Sequence, residues 1–332
     1  MTTPSPISDP RICIVGAGGL SSNRIYPYIG AAGAELVGIC DLDQEKAARN
    51  ARRFGGTVYG DYKKMISEQK PDGVIVCVGP KVHSVLAGEI MRMGYPVYTE
   101  KPPAETAEEA LAVARIAKET GQLCTTAFKK RYSQAYSRAK EWIGSFPPEQ
   151  RLSISIDYCS GLYKNESPRS DFLLDFAIHV IDLTQFLFGE VESVFSFTKN
   201  YHAYAVSLRF SSGAVGTLNL NDGRTWDLPT EEVEITIEGG NFMSVHNSSA
   251  WRITGNHKPI EWREPPTYIS RGDSGRETGH LAEIEDFVAA LKEKRVTTRS
   301  QVYESYKSMV LHDAIRLSAE TGQIVKPVYE SV

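Results

Sequence analysis

The stretch that most constrains this chain is Arg11-Ile12-Cys13-Ile14-Val15 running straight into Gly16-Ala17-Gly18-Gly19-Leu20-Ser21. A short β-rich apolar run followed at once by G-x-G-x-x-S predicts a strand, a tight turn and the start of a helix. In that arrangement Gly16 permits the turn and Gly18 lets a pyrophosphate approach the backbone. The free N–H groups at the start of the helix face the anion, and the helix dipole favours it. Ser21 stands where a third glycine is usual and is still small enough for close helix–strand packing. An ordinary strand–turn–helix corner can carry the same glycines, so the context decides. Asp41 ends the next apolar run, 35–40. It lies about 20 residues on, the place of a carboxylate that accepts from a ribose 2′-OH and repels a 2′-phosphate. Leu42 and Asp43 offer that phosphate no cation. The reading is a dinucleotide site, with NAD preferred to NADP.

Around this corner, apolar runs alternate with amphipathic stretches as far as about residue 125, the rhythm of a parallel α/β sheet. Strands are expected at 11–15, 35–40, 72–78, 95–99 and 122–128, and helices at 44–54, 83–93 and 106–120. Thr106 and Glu109 form a capping box for the last of these, and Gly121 is its stop. After a charged helix at 133–143 and the Pro147-Pro148 break, period-two alternation dominates. Tyr204, Val206, Leu208 and Phe210 fall on one face, with Ala203, Ala205, Ser207 and Arg209 on the other. Val233, Ile235 and Ile237 repeat the pattern ahead of a Gly239-Gly240 hairpin turn. Two amphipathic helices, 281–293 and 302–321, follow. The expected division is a nucleotide half over 1–128 and a sheet-rich substrate half over 129–332, joined near 127–132.

Composition narrows the partners. With 37 Lys+Arg against 41 Asp+Glu, the net charge of -4 leaves no chain-wide basic footprint for nucleic acid. No apolar run approaches the ~18 residues of a membrane span, and residues 1–10 lack the charged and apolar regions of a secretory leader. Five cysteines without a close pair argue against a disulfide framework or a zinc site, so no metal is expected. A reduced, cytoplasmic compartment fits this usage.

Two further constellations carry chemistry. The segment 172–183 is apolar almost all round, as a buried helix is, yet it holds Asp175, His179 and Asp182 at i, i+4 and i+7. Lone charges there are expensive. They are either a satisfied core histidine with capping or salt-bridged acids, or one polar stripe that meets a ligand. In the second case histidine is the natural proton acceptor for a hydroxyl at neutral pH. Thr99-Glu100-Lys101-Pro102-Pro103 sets Lys101 at the C-terminal end of a buried strand, where open α/β sheets place their ligands. The two prolines fix the backbone there and admit a cis bond.

Taken together, these motifs resemble the Gfo/Idh/MocA family, the glucose–fructose oxidoreductase and inositol dehydrogenase group. The resemblance spans nearly the whole chain. It covers the glycine loop, Cys40-Asp41-Leu42-Asp43, Pro80 with His83, Glu100-Lys101-Pro102, Phe128 with Arg131-Tyr132, the D-x-x-x-H-x-x-D of 175–182, and Ser318-Ala319-Glu320-Thr321-Gly322. It implies an α/β protein: an N-terminal Rossmann domain, then a C-terminal α/β domain with a large open, mostly antiparallel sheet. In the family that sheet often makes oligomer contacts, so a homodimer or homotetramer is expected. The implied activity is NAD-dependent hydride transfer at a secondary hydroxyl of a sugar, inositol or sugar derivative.

Carried over by position, Lys101, Asp175 and His179 are the catalytic set. His179 takes the hydroxyl proton, Lys101 holds the oxygen, and Asp175 orients substrate or imidazole. Gly16, Gly18, Gly19, Leu20, Asp41, Pro80, His83, Glu100 and Lys101 are the expected cofactor contacts. Lys129, Arg131, Arg169 and Asp182 are candidate substrate contacts; Lys129 and Arg169 give the pocket a cationic edge unless they are a solvated surface pair. The chain departs from the family at Gly79-Pro80-Lys81, where Thr-Pro-Asn is usual, at Ala177 for glycine, and at Pro168-Arg169-Ser170-Asp171. Two other functions share these motifs: redox-neutral glycoside cleavage with tightly held NAD, and a non-catalytic NAD-binding sensor. Keeping both Lys101 and His179 argues against the sensor.

Overall fold

Strand β1 (Arg11–Val15) is buried along all but its first residue, which is why its side chains are apolar on both faces. The structure, a computed structural model, describes residues 9–163, 171–264 and 275–332. After β1 come α1 (Gly19–Arg24), α2 (Tyr26–Ile29), β2 (Glu35–Cys40) and α3 (Gln44–Phe54). Next are β3 (Thr57–Tyr59), α4 (Tyr62–Gln69), β4 (Gly73–Val76), α5 (His83–Arg92), β5 (Val97–Thr99), α6 (Ala107–Thr120) and β6 (Cys124–Thr126). The caps follow from side-chain chemistry: Asp43 accepts from the N–H groups of Glu45 and Lys46 at α3, and Thr106 from that of Glu109 at α6. The six strands are parallel, in the order β3-β2-β1-β4-β5-β6. That is the doubly wound order of a Rossmann domain, which opens a ligand crevice at the carboxyl ends of β1 and β4.

The second half contains α7 (Gln134–Gly144), β7 (Arg151–Gly161), α8 (Ile178–Phe188), β8 (Val191–Lys199), β9 (Ala203–Phe210) and β10 (Val215–Arg224). It continues with β11 (Thr230–Ile237), β12 (Asn241–His246), β13 (Ala250–Gly255), β14 (Lys258–Arg263), α9 (His280–Glu293) and α10 (Val302–Thr321). Its eight strands run β14-β13-β12-β11-β7-β10-β9-β8. β7 and β10 pair in parallel and every other neighbouring pair is antiparallel. One face, with Ile154, Ile156, Leu218, Val233 and Ile235, packs into a single core with Ala139, Ile181 and Met309 of the covering helices. The other face presents Glu232, Glu234, Thr217 and Asn219 to solvent.

The two sheets divide close to residue 128, but the packing does not. Helix α9 returns to the first sheet, where Ile284, Phe287 and Val288 join Ile12, Tyr26 and Tyr98 in one core. It lies so close that a Cβ on Gly73 would meet Leu291 at 2.8 Å. A short bridge between Thr125 and Gln301 fastens the same return. Among the described residues no helix is long and apolar enough to cross a membrane, all five cysteines are free, and no group of side chains is set to hold a metal ion.

Candidate active site

The nucleotide half of the site is built by backbone. Gly16 has φ +110°, and a Cβ there would overlap the Cys77 carbonyl, so the turn between β1 and α1 admits glycine alone. Its N–H donates to Cys40 O at 2.8 Å and its carbonyl accepts from Tyr26 Oη at 3.0 Å, which sets the turn against β2 and α2. Gly18 and Gly19 have nothing within 4 Å of where a Cβ would stand, the open approach a pyrophosphate requires. Leu20 beside them is half exposed, and Ser21 is fully buried with its Oγ on Gly18 O. Asn50 of α3 braces the loop through Ala17 O and Ser22 Oγ, a role without a sequence motif.

Asp41 accepts from the Ala17 N–H at 2.6 Å and the Asp43 N–H at 2.8 Å. Its carboxylate borders a cavity of about 540 Å³ that Leu42, Tyr62, Val78, Val82 and Leu86 make largely apolar. Asp41 and Asp61 are its charged lining residues, and among the described residues no cation lines it. An apolar slot with a carboxylate at the end of β2 and an open glycine turn fits the adenosine and pyrophosphate of NAD.

Pro80 opens a short 3₁₀ turn, Pro80–Val82, after β4. His83, an expected cofactor contact, is turned into the protein. The ring is buried, Nδ1 meets Pro102 O at 2.7 Å and Nε2 meets Val78 O at 3.0 Å. A carbonyl faces each nitrogen, and the single N–H of the neutral ring donates to one of them, so the imidazole packs the β4 loop against the loop after β5. Burial lowers its pKa. Glu100 is likewise turned inward: its carboxylate accepts from the Lys101 N–H at 3.1 Å, and burial raises its pKa against the pull of Lys101 and Lys129.

Lys101 follows β5, and the Lys101–Pro102 bond is cis. Its Nζ crosses to the second half, donating to the main-chain carbonyl of Asp175 and lying 5.5 Å from the Phe176 ring centroid. Burial lowers the Lys101 pKa, partly offset by Glu100 and Asp175. Asp175 sits in a π-helical turn, Leu173–Ala177, that leads into α8. Such turns interrupt the regular i→i+4 ladder and recur at functional sites. The Asp175 carboxylate accepts from the Tyr163 hydroxyl. His179 is half-buried, edge-on to Phe128, and among the described residues its buried Nδ1 has no hydrogen-bond partner. Burial first, then the charges of Lys101, Lys129, Lys130 and His280, hold its pKa well below the usual 6.5. A neutral imidazole is a proton acceptor at neutral pH.

Lys101, Asp175 and His179 therefore converge, but Asp182 leaves their stripe. It has no solvent exposure and takes both Nε and Nη2 of Arg131, with Ser308 Oγ as a third donor. Arg131 and Asp182, expected as substrate contacts, are instead a buried structural pair: the i+7 position has rotated into the core, where only an ion pair tolerates a carboxylate. Lys130 next door is paired with Glu231. Lys129 stays at the cleft, half-buried, its charge acting on both His179 and Glu100. Arg169 lies outside the described residues. Two side chains of this neighbourhood, Tyr163 and Trp226, have no motif. They come from the end of β7 and the turn after β10, far apart in sequence, and the one cue is Gly161, where a Cβ would strike the Trp226 ring.

Comparison with known proteins places the chain in a family. Residues 10–128 match the model of an oxidoreductase family with an NAD-binding Rossmann fold, and residues 163–327 match the C-terminal α/β domain of that oxidoreductase family. The chain is 25% identical over 314 residues to the 4-carboxy-2-hydroxymuconate-6-semialdehyde dehydrogenase of Sphingobium sp., covering 90% of this chain and 96% of the relative. It is 24% identical over 336 residues to the inositol 2-dehydrogenase of Rubrobacter xylanophilus, covering 92% and 89%. In fold it is similar to a levoglucosan dehydrogenase solved with NADH and L-sorbose, with TM-score 0.84, 20% identity and coverage of 97% and 100%. Matched over both of its domains, the chain belongs to the Gfo/Idh/MocA oxidoreductase family.

Proposed function

We propose that this protein is an NAD-dependent dehydrogenase that oxidises a secondary hydroxyl of a sugar, inositol or sugar derivative to the carbonyl. The observation that carries the reading is the meeting of Lys101, from the end of the nucleotide-binding sheet, with Asp175 and His179 on the second domain. Bound NAD supplies the hydride acceptor that takes the C–H electron pair. The His179 imidazole, kept neutral by burial and by the surrounding cations, receives the hydroxyl proton. The Lys101 ammonium holds the substrate oxygen and offsets the negative charge that develops on it. Asp175, steadied by Tyr163, orients the hydroxyl between them. Relatives named as inositol and D-apiose dehydrogenases support the sugar or polyol class. Asp41, in a slot without a cation, supports NAD over NADP. The uncovered face of the eight-stranded sheet supports assembly as a homodimer or homotetramer, and the free cysteines support a cytoplasmic setting.

The test is a panel of polyols, aldoses, inositols and sugar acids followed by NADH appearance. Lys101→Ala and His179→Ala are each expected to lower turnover by about 10²–10⁴-fold while NAD binding persists. Unchanged rates, or lost NAD binding in both variants, overturn the assignment. NAD retained through purification with no net NADH would point instead to redox-neutral glycoside cleavage.

A further inference from the structure

An aromatic shelf adjoins the reacting groups. The Phe176 ring, next in sequence to Asp175, lies beneath the Lys101 ammonium. Tyr163 meets it edge-on at 5.4 Å between centroids, and Trp226 meets it at 5.1 Å with the planes tilted by 51°. Trp226 is anchored from below: a Cβ on Gly161 would come within 2.5 Å of the indole, so the ring rests directly on strand β7. Its outward side remains open, with 54% of the residue exposed. A large aromatic ring that is packed on one side, open on the other and one ring contact from Lys101 is a surface built to be covered when the site is filled.

We propose that Trp226, backed by Phe176 and Tyr163, is the platform for the substrate's ring, and that it makes the enzyme selective for cyclic polyols and pyranosides over open-chain polyols. This rests on the reading of Lys101, Asp175 and His179 as the reacting centre. The occupant follows from shape and charge. A pyranose or cyclitol presents a face of C–H groups, made slightly positive by neighbouring hydroxyls, which suits the negative face of an indole. Its opposite edge carries the hydroxyls that reach Lys101 and His179. A rigid ring loses little freedom on binding, whereas an open-chain polyol must freeze several rotors and has no continuous apolar face.

The test uses the full-length protein with NAD and the probes myo-inositol, methyl α-D-glucopyranoside and D-sorbitol. A ring probe is expected to give NADH with a KM at least about 10-fold below that for D-sorbitol. Trp226→Ala is expected to raise the ring probe's KM about 10-fold or more with kcat changed less than about 3-fold, and Trp226→Phe to retain most of the affinity. Ring probes are expected to quench intrinsic fluorescence in the native protein and not in Trp226→Phe, where Trp142, Trp251 and Trp262 remain. NADH formation with an unchanged KM in Trp226→Ala, or D-sorbitol equal to the rings, overturns the platform and leaves the dehydrogenase reading standing. Quenching by a ring probe with no NADH does the reverse. No quenching and no NADH with either ring overturns the platform.

Discussion

Arg131 grips Asp182 with two parallel hydrogen bonds, Nε to one carboxylate oxygen at 2.9 Å and Nη2 to the other at 2.7 Å, where Arg131 is 3% exposed and Asp182 not at all. The pair ties the hinge segment Lys129–Tyr132 to α8, the helix that carries His179. Removing one member leaves a buried charge without a partner, which costs about 3–5 kcal/mol. Asp182→Ala is therefore expected to lower unfolding stability by about that amount in a urea titration. The double change Arg131→Met with Asp182→Leu, which removes both charges, is expected to recover most of the loss. A single variant as stable as the native protein would show that the pair is not an anchor.

Asp182 also shows where sequence reasoning runs out. His179 and Asp182 stand three residues apart within α8, a step that leaves their side chains about 60° apart around the axis, and that turn carries the third acid to the core instead of the cleft. Its partner, 51 residues upstream, leaves no local trace. In the Rossmann half the helices at 44–54 and 106–120 were legible, because the caps Asp43 and Thr106 and the breaker Gly121 act within one turn of chain, whereas the three-residue strand β3 and the helix α4 escaped the reading. β7 was not: Ser153, Ser155 and Asp157 face the open side of the sheet and blunt its hydrophobic signal. Tyr163 and Trp226 reach Phe176 only through tertiary packing, and α9 joins the first core from the far end of the chain in the same way.

His83 offers a second test. Its ring links the carbonyls of Val78 and Pro102, and so fixes the loop that begins with Lys101. His83→Ala removes the one N–H that these two carbonyls share and opens a void beside them, at a cost of about 2–4 kcal/mol in stability. Because Lys101 is next to Pro102, kcat is expected to fall more than 10-fold even at temperatures where circular dichroism shows a folded protein. A stability loss with unchanged kcat would confine His83 to packing.

The proposed preference for NAD over NADP rests on Asp41. The carboxylate holds the glycine turn through the Ala17 N–H and borders a slot without a cation. Asp41→Ser removes the charge-assisted bonds to ribose and the repulsion of a 2′-phosphate together. NAD affinity is expected to fall about 10-fold or more, the equivalent of one bond to a charged group, while NADP affinity rises. Fluorescence titration with both nucleotides reads the ratio, and a native preference for NADP would refute the role.

The pH profile tests the proton acceptor. Burial and the cations Lys101, Lys129, Lys130 and His280 depress the His179 pKa below its usual 6.5, with Asp175 the acid of the same helical segment. The sign is then fixed. Above 6.5 the imidazole is neutral in both folded and unfolded chains, so it adds no pH dependence to stability. As pH falls through 6.5 the unfolded chain takes up the proton first, and stability declines until the folded pKa is passed. Activity follows the folded value, so the acidic limb of kcat/KM is expected below pH 6.5, not at it. Lys129→Met removes one of the depressing charges, lets the folded pKa rise, and is expected to move that limb toward higher pH. A limb that stays in place in Lys129→Met, with the native limb at or above 6.5, would mean that His179 does not take the proton in the rate-limiting form of the enzyme.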